Sequence, residues 1–459
     1  MKPSDFRGKK ITIMGLGTLG GGIGVVQYLV KLGAKLTVTD LRIQKQLAPA
    51  LKKIKSKGII YVLGKHREQD FKNADLIVKN PAVPKASKYL EIARQNNVPI
   101  ESDATLFFQL CRIPIIGVTG TKGKTTTVAL LEKIIKRSGR HVVLVGHNQI
   151  SVLDRLNQIK KDTIVLFELS SWRLEILREH KLSPHGAIVT NIAKDHLNTY
   201  SGMSEYVKAK SNIFAFQNKN DFVVLNKQNP YTQQFGKSVI SRRFWFSKVP
   251  FTEQNGVFVK NSKIVFRNMG KDNIVLSTDT LKIRGEHNLE NVLAAVLTAK
   301  ILQVPNIYIK SAIAEFSGLT DRLEFVKKYN GKSFFNDTAA TMPDATIAAL
   351  KSFPKKVVLI AGGVDKELSY FQLANAIKKH ARVLVLLPGS ATEKLKLYLD
   401  KNKTSYTESK TLQQAVETAY NLANETDSIL FSPGAASFNL FENEFDRGEK
   451  FRKIVKKLT

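Results

Sequence analysis

Residues 114–127 read Pro114-Ile-Ile-Gly-Val-Thr-Gly-Thr-Lys-Gly-Lys-Thr-Thr-Thr127, and the run Val128-Ala-Leu-Leu-Glu-Lys-Ile-Ile135 follows directly. An apolar strand that enters a glycine turn and leaves it as a helix aims bare backbone N–H groups and a helix N-terminus at one point, which makes a phosphate site. From there Lys124 reaches terminal phosphates, and the Thr125 hydroxyl can ligate Mg²⁺. The loop is not a strict Gly-x4-Gly-Lys-Ser/Thr pattern, because Val118 holds the place of the first Gly and Gly117 lies one position earlier. The stretch still predicts an α/β domain built round an ATP loop, with Gly120, Thr121, Lys122, Gly123, Lys124, Thr125 and Thr126 against the phosphates.

Upstream, Lys10-Ile-Thr-Ile-Met-Gly-Leu-Gly-Thr-Leu-Gly20 places another strand before another glycine turn, and Lys35-Leu-Thr-Val-Thr-Asp40 reads as the next strand. Gly15, Gly17 and Gly20 fit G-x-G-x-x-G, with Asp40 about twenty residues on. Further strands are expected at 59–63, 76–79 and 99–102, so this part reads as a doubly wound unit ending near Arg112. Taken alone, that fingerprint points to a dinucleotide and to an NAD-dependent oxidoreductase. Any nucleotide diphosphate fits the same helix N-terminus, and the oxidoreductase reading leaves the ATP loop without a role.

Downstream, strands are expected at 163–169, 187–192 and 222–226, with short β-like stretches at 243–247, 256–259 and 263–267. A helix is expected over 287–302, where Leu289, Val292, Leu293 and Val296 recur at helical spacing. Beyond Gly318, strands at 333–336, 357–361, 383–387 and 428–432 alternate with helices. The fold class expected is α/β in three domains: Rossmann-like over 1–112, a P-loop ATPase-like mixed-sheet domain over 113–317, and a second Rossmann-like unit over 318–459.

The 459 residues carry 71 Lys+Arg against 39 Asp+Glu, a formal net charge of +32. The positive residues are scattered, and the densest groups, Lys52–Lys57 and Lys450–Lys457, read as amphipathic helices with a solvated basic face. A basic cleft attracts polyanionic nucleotides. A nucleic-acid-stimulated ATPase is the rival reading, without a binding motif to support it, so no nucleic-acid partner is expected. No run of eighteen apolar residues exists, so no membrane span is expected. The start, Met1-Lys-Pro-Ser-Asp-Phe-Arg7, lacks the apolar centre of a signal peptide. The single cysteine, Cys111, excludes an internal disulfide and fits a reducing cytoplasm. Between Leu110 and Ile113 it reads as a buried structural thiol.

Two further stretches carry chemistry. Glu168-Leu-Ser-Ser171 ends an apolar strand; a carboxylate there faces Mg²⁺ in a P-loop fold, so Glu168 is the metal-ligand candidate. The alternative is a helix cap made by Glu168, Ser170 or Ser171. Thr190-Asn-Ile-Ala-Lys-Asp-His196 follows the next strand, which puts Asn191, Asp195 and His196 at the carboxyl edge where ligands bind in open sheets.

In this order the motifs resemble the Mur ligases, the ATP-dependent amino-acid ligases of peptidoglycan precursor synthesis. The family loop Thr-Gly-Thr/Ser-Asn-Gly-Lys-Thr/Ser appears as Thr119-Gly-Thr-Lys-Gly-Lys-Thr125. The resemblance runs over essentially the whole chain and is fullest to the D-glutamate-adding branch, through Asp75-Leu-Ile-Val78, Asp195-His-Leu197, Gly285-Glu-His-Asn-Leu-Glu-Asn291, Gly318-Leu-Thr-Asp-Arg322, Asn336-Asp-Thr-Ala-Ala-Thr341, Gly362-Gly-Val-Asp-Lys366 and Ser432-Pro-Gly-Ala-Ala-Ser437-Phe438. It implies that ATP phosphorylates the alanyl carboxylate of UDP-N-acetylmuramoyl-L-alanine and that the amine of D-glutamate attacks the acyl phosphate. Another amino acid added by another branch of the family is the alternative.

The resemblance also implies the site. Lys124, His196 and Lys210 are its catalytic residues. Thr125 and Glu168 hold one Mg²⁺ and His196 helps hold a second. Lys210 matches a lysine that takes up CO₂ as a carbamate, an anionic oxygen group for the metal surroundings. Asn291, Arg322 and Asp337 match residues that hold ATP. Thr18, Leu19, Asp40, Arg42 and Asn148 match contacts to the UDP-sugar, and Thr341, Lys366, Ser437 and Phe438 match contacts to the amino acid. A cytoplasmic monomer is implied. The chain departs from the pattern at Lys122 (commonly Asn), Ala339 (commonly Lys), Met342 (commonly Asn) and Asn80-Pro-Ala-Val83 (commonly Ser-Pro-Gly-Ile). A second loop cation at Lys122 would restore the phosphate-balancing charge missing at Ala339.

Overall fold

Strands Lys10–Met14 (β1), Lys35–Asp40 (β2), Ile60–Leu63 (β3), Leu76–Lys79 (β4) and Ile100–Ser102 (β5) form a parallel sheet in the order β3-β2-β1-β4-β5. The computed structural model describes all residues except Leu19, Lys85, 147–149, 194–199, Arg284, 438–439 and Thr459. The strand order reverses between β1 and β4, so a crevice opens beyond their carboxyl ends. Helix Gly20–Lys31 starts there, and a Cβ on Gly22 would lie 2.1 Å from the Leu16 carbonyl oxygen, so the turn closes only round glycine.

The second sheet takes in Ile115–Thr119 (β6), Val142–Val145 (β7), Ile164–Glu168 (β8), Gly186–Val189 (β9), Phe222–Asn226 (β10), Arg242–Ser247 (β11), Gly256–Lys260 (β12), Lys263–Asn268 (β13) and Lys271–Ser277 (β14). Its order is β14-β13-β12-β11-β10-β9-β6-β8-β7, parallel from β7 to β12 and closed by an antiparallel β12-β13-β14 meander. The central strands are buried almost throughout and apolar up to their last residues, as strands covered on both faces must be. One apolar core runs through both sheets, joining Leu16, Ile23 and Val26 to Val152, Leu153 and Phe167.

The third sheet comprises Glu324–Tyr329 (β15), Lys332–Asn336 (β16), Val357–Ala361 (β17), Ala381–Leu386 (β18), Thr407–Glu408 (β19) and Ser428–Phe431 (β20), ordered β15-β16-β20-β17-β18-β19. Only the β15–β16 pair is antiparallel. Successive residues serve opposite faces: Phe335, Leu359 and Leu430 enter one core, Phe334, Val358 and Ile429 the other. The chain gathers into two compact units, Met1–Asp279 with Glu290–Ala312, and Thr280–Leu289 with Ile313–Thr459.

Two expectations are corrected. Lys52–Lys57 do not lie on a helix: the helix is Gln44–Leu51, and it contains Pro49, which has no N–H to extend the ladder. Cys111 is half-buried, not fully buried, because it caps the end of helix Asp103–Leu110, where its thiol donates to the Ile113 carbonyl at 3.5 Å. Strands β7, β14, β15 and β19 were not anticipated. Among the described residues no helix is long and apolar enough to cross a membrane.

Candidate active site

β6 ends at Thr119, and helix Lys124–Arg137 begins five residues later with Gly123 as its N-cap in the left-handed region, φ 84°. A Cβ on Gly123 would come within 2.1 Å of Asn291 Oδ1, so helix Glu286–Ile301 presses Asn291 against the turn. The Thr127 hydroxyl, 3.4 Å from the same oxygen, continues that contact. Below the loop, Asn191 holds Lys122 by both backbone groups: Lys122 N–H donates to Asn191 Oδ1 at 3.0 Å, and Asn191 Nδ2 donates to the Lys122 carbonyl at 3.2 Å. Thr190 Oγ1 donates to the same carbonyl at 2.6 Å. The Lys122 side chain itself is exposed.

The Lys124 ammonium folds back over its own loop, donating to the carbonyls of Gly120 at 2.9 Å and Thr121 at 3.2 Å. Thr125, in the first helical turn, donates its hydroxyl to Glu168 Oε1 at 3.1 Å. Glu168 is the last residue of β8, beside β6 in the sheet, so register alone brings it to the loop. Lys210, on helix Met203–Ser211, is 2% exposed and donates to Thr119 Oγ1 at 3.2 Å and to the Gly120 carbonyl at 3.0 Å. Tyr206, one turn earlier, brings its hydroxyl 3.2 Å from Thr121 Oγ1. Gly120–Thr126, Glu168, Lys210 and Asn291 therefore converge on one loop.

A cavity of about 390 Å³ opens at the switch point of the first sheet. Thr18 and Arg42 line it, with Asn80 from the turn after β4. Asp103 and Arg173, joined by a 2.7 Å ion pair, form part of its wall. Asp40 is mostly buried and works behind the wall. Its Oδ2 accepts the Gly17 N–H at 3.0 Å and its Oδ1 the Arg42 N–H at 2.9 Å, which fixes the glycine turn.

In the second unit, Asp337, Thr341, Lys366 and Ser437 sit on loops leaving the carboxyl ends of adjacent parallel strands, β16, β20 and β17, whereas Arg322 lies in the turn before β15. Asp337 follows β16 and is buried; its Oδ2 accepts the Ser432 hydroxyl at 2.7 Å and its Oδ1 the Leu323 N–H at 3.1 Å. Burial pushes its carboxyl up to about 7, against the pull of Ser432, the Leu323 N–H and the Arg322 charge. The Ser432 hydroxyl also reaches Thr346 Oγ1 at 2.9 Å, tying in helix Pro343–Lys351, which Thr341 precedes. Val364 and Ala436 exchange backbone hydrogen bonds at 2.9 Å, which joins the loop carrying exposed Lys366 to the loop carrying Ser437. Ser437 Oγ is buried and has no hydrogen-bond partner among the described residues. Leu19, Asn148, His196 and Phe438, together with Asp195, lie outside the described residues.

Sequence reasoning overlooked Tyr206, Arg173 and Arg447. Arg447 is 1% exposed and binds no carboxylate among the described residues: Nε donates to Thr338 Oγ1 at 2.8 Å, Nη2 to the Thr338 carbonyl at 2.8 Å, and Nη1 to the Ala435 carbonyl at 3.1 Å. It joins the loops after β16 and β20. Burial lowers its pKa to about 10, with Glu444 and Asp321 pulling the other way.

Three family models match. Residues 9–102 match the Mur ligase MurD-like N-terminal domain, 118–299 the Mur ligase middle domain, and 321–434 the Mur ligase glutamate ligase domain. The chain is 41% identical to a UDP-N-acetylmuramoylalanine--D-glutamate ligase of Roseiflexus sp. (strain RS-1), over 99% of this chain and 100% of that one. It is 36% identical to the protein of the same name from Borreliella afzelii (strain PKo), over 99% of each. Among solved structures it is similar to UDP-N-acetylmuramate-alanine ligase MurC from Thermotoga maritima (TM-score 0.60, 20% identity, 98% of this chain and 100% of that one). It is also similar to a pseudomurein peptide ligase type C from Methanothermus fervidus (TM-score 0.57, 21% identity, 98% and 100%). These structural likenesses show the three-domain fold.

Proposed function

The chain belongs to the Mur ligase family, and we propose that it adds D-glutamate to the alanyl carboxylate of UDP-N-acetylmuramoyl-L-alanine, with ATP as phosphoryl donor. The observation that carries this reading is the full-length match to relatives of that name, at 41% and 36% identity. The convergence of Lys124, Thr125 and Glu168 on one glycine loop supports it from the structure.

The chemistry has two steps. A substrate carboxylate oxygen attacks the terminal phosphorus of ATP, the bond to ADP breaks, and an acyl phosphate results. The amine of D-glutamate then attacks the acyl carbon, loses a proton and expels inorganic phosphate. Positioning and charge neutralisation dominate such a transfer. In our reading Lys124 exchanges its two carbonyl partners for phosphoryl oxygens, at a helix N-terminus that favours the same charge. Mg²⁺, when bound, neutralises phosphate charge, and the Thr125 hydroxyl and Glu168 carboxylate are hard oxygen donors suited to hold it. His196 would help hold a second Mg²⁺ in this proposal. Lys210, carbamylated by CO₂, would keep one N–H donor for the loop and present two oxygens beside it.

Residues 1–112, with Thr18, Leu19, Asp40 and Arg42, are proposed to take the UDP-sugar, together with Asn148 from the next segment. Residues 113–317 take ATP, aided by Asn291, with Arg322 and Asp337 contributed from 318–459. That last segment takes D-glutamate at Thr341, Lys366, Ser437 and Phe438. The site of action proposed is the cytoplasm.

The test is incorporation of radiolabelled D-glutamate into UDP-N-acetylmuramoyl-L-alanine with and without ATP, beside L-glutamate and diaminopimelate as competitors. ATP-dependent labelling by D-glutamate, abolished in Lys124→Ala, is expected. Preferential incorporation of another amino acid would replace this reading with a different step of the family.

A further inference from the structure

We propose that Arg173 is an anion-binding, specificity-determining residue of the 390 Å³ cavity, and that Asp103 is the carboxylate with which the bound anion shares or competes for it. The inference rests on the nucleotide-sugar reading above, since it concerns the acidic groups of that substrate.

Arg173 lies in the first turn of helix Ser171–Glu179, five residues beyond Glu168. Its Nη2 donates to Asp103 Oδ2 at 2.7 Å, and the two side chains are 17% and 7% exposed. Its Nε is buried and has no hydrogen-bond partner among the described residues. A guanidinium has five N–H donors in a rigid fork. Here one bond holds the head group to Asp103 while at least one buried donor goes unmet. The Phe167 ring, with its centroid 5.6 Å from Cζ, further restrains the head group. Asp103 is fixed as well, because its Oδ1 accepts the Ala104 N–H at 2.7 Å. A half-engaged guanidinium in the wall of a cavity is suited to a second oxyanion, bound by charge-assisted hydrogen bonds.

A nucleotide-sugar that ends in an acyl carboxylate offers two such oxyanions, the diphosphate and the carboxylate. Gly146, another wall residue, packs against the backbone of Glu168, where a Cβ would lie 2.6 Å from the Glu168 carbonyl oxygen. The wall that carries Arg173 therefore borders the strand end that carries Glu168.

The competing account is a structural tie between the first and second sheets. Calorimetric titration of the full-length chain with UDP and with UDP-N-acetylmuramoyl-L-alanine separates the two. Arg173→Gln should bind at least one ligand about tenfold more weakly, the worth of one charge-assisted bond. Equal loss on both ligands assigns the diphosphate; loss confined to the acylated sugar assigns the carboxylate. Asp103→Asn keeps the acceptor for Ala104 and releases Arg173, so it should bind at least as tightly as wild type.

The proposal is overturned if Arg173→Gln binds both ligands within about twofold of wild type, or if Asp103→Asn loses more than about threefold. The Asp103→Asn arm decides alone should Arg173→Gln not fold. UDP titration reads Arg173 whether or not ligation is observed, and ligation by the wild-type chain reads the proposed function whatever the variants do.

Discussion

The Thr125 hydroxyl donates to Glu168 Oε1 across 3.1 Å, joining the first turn of the loop helix to the end of the neighbouring strand. Both are oxygen groups, one neutral and one anionic, at the point where the proposed phosphates meet a cation. Glu168→Gln keeps the shape and an acceptor for Thr125 but removes the charge. Turnover should fall roughly 10²–10³-fold, as for loss of one preorganised electrostatic group, and the Mg²⁺ concentration needed for half-maximal rate should rise. Phosphate release measured against Mg²⁺ checks this; an unchanged Mg²⁺ curve removes Glu168 from the metal role.

Gly123 combines a left-handed backbone, φ 84°, with a Cβ position 2.1 Å from Asn291 Oδ1. Gly139 shares the backbone, φ 78°, but has nothing within 4 Å of its Cβ position. Gly139→Ala therefore carries only the conformational cost, and Gly123→Ala adds a steric one. The second variant should be less stable than the first by at least about 1 kcal/mol, and only the second should weaken ATP binding. Urea denaturation and nucleotide titration of both variants give the comparison.

What the sequence made legible follows the range of the forces. Lys124 and Thr125 are placed by a strand, a turn and a helix start within a dozen residues, and Glu168 by the end of an apolar run, so local rules sufficed. Lys210 looks like one more helix lysine; its burial comes from a loop ninety residues away in sequence. Arg447 lies in Glu444-Phe-Asp-Arg-Gly-Glu-Lys450, which reads as a solvated face. The missed clue is spacing: Arg447, Phe451 and Val455 recur every four residues, one helical face, and all three are buried. The β12-β13-β14 meander was only partly legible, because β14 opens Lys271-Asp-Asn, with its early residues exposed. An exposed edge strand lacks the apolar alternation that marks half-buried ones.

Lys210 gives a prediction that does not depend on turnover alone. If its amine carries CO₂, enzyme equilibrated with ¹³C-bicarbonate should show a carbamate carbon resonance that is absent in Lys210→Arg. Depleting bicarbonate should slow ligation by the wild-type chain. A spectrum without that resonance in active enzyme would leave Lys210 as an ammonium bound to Thr119 and Gly120.

Asp337 should make stability depend on pH. Its folded pKa of about 7 lies above the ordinary carboxylate value of 3.8 because burial disfavours the charged form. The folded state therefore holds the proton more tightly than the unfolded state. Its contribution to stability is complete below the unfolded value and is lost as pH rises towards 7, at most about 1.4 kcal/mol per pH unit. Asp337→Asn cannot titrate; it still accepts the Leu323 N–H, and Ser432 can turn its proton to Thr346. Relative to this variant, wild type should lose stability between about pH 4 and pH 7. Parallel denaturation curves at pH 5 and pH 8 test the sign; a constant difference would place the Asp337 proton elsewhere.

Arg447 donates to the Thr338 side chain and to the carbonyls of Thr338 and Ala435, so one buried cation fixes the loops after β16 and β20. Arg447→Lys keeps the charge but loses the planar fork, leaving at least one buried acceptor unmet. That should cost roughly 1–3 kcal/mol of stability. Because Ala435 lies two residues before Ser437, the loop proposed to hold the amino acid should also loosen. The KM for D-glutamate is expected to rise several-fold while the KM for the UDP-sugar, whose proposed contacts belong to the first unit, stays near wild type. Steady-state kinetics with each substrate varied in turn reads this split. An equal rise in both would mean that the arginine supports stability without positioning the amino-acid loop.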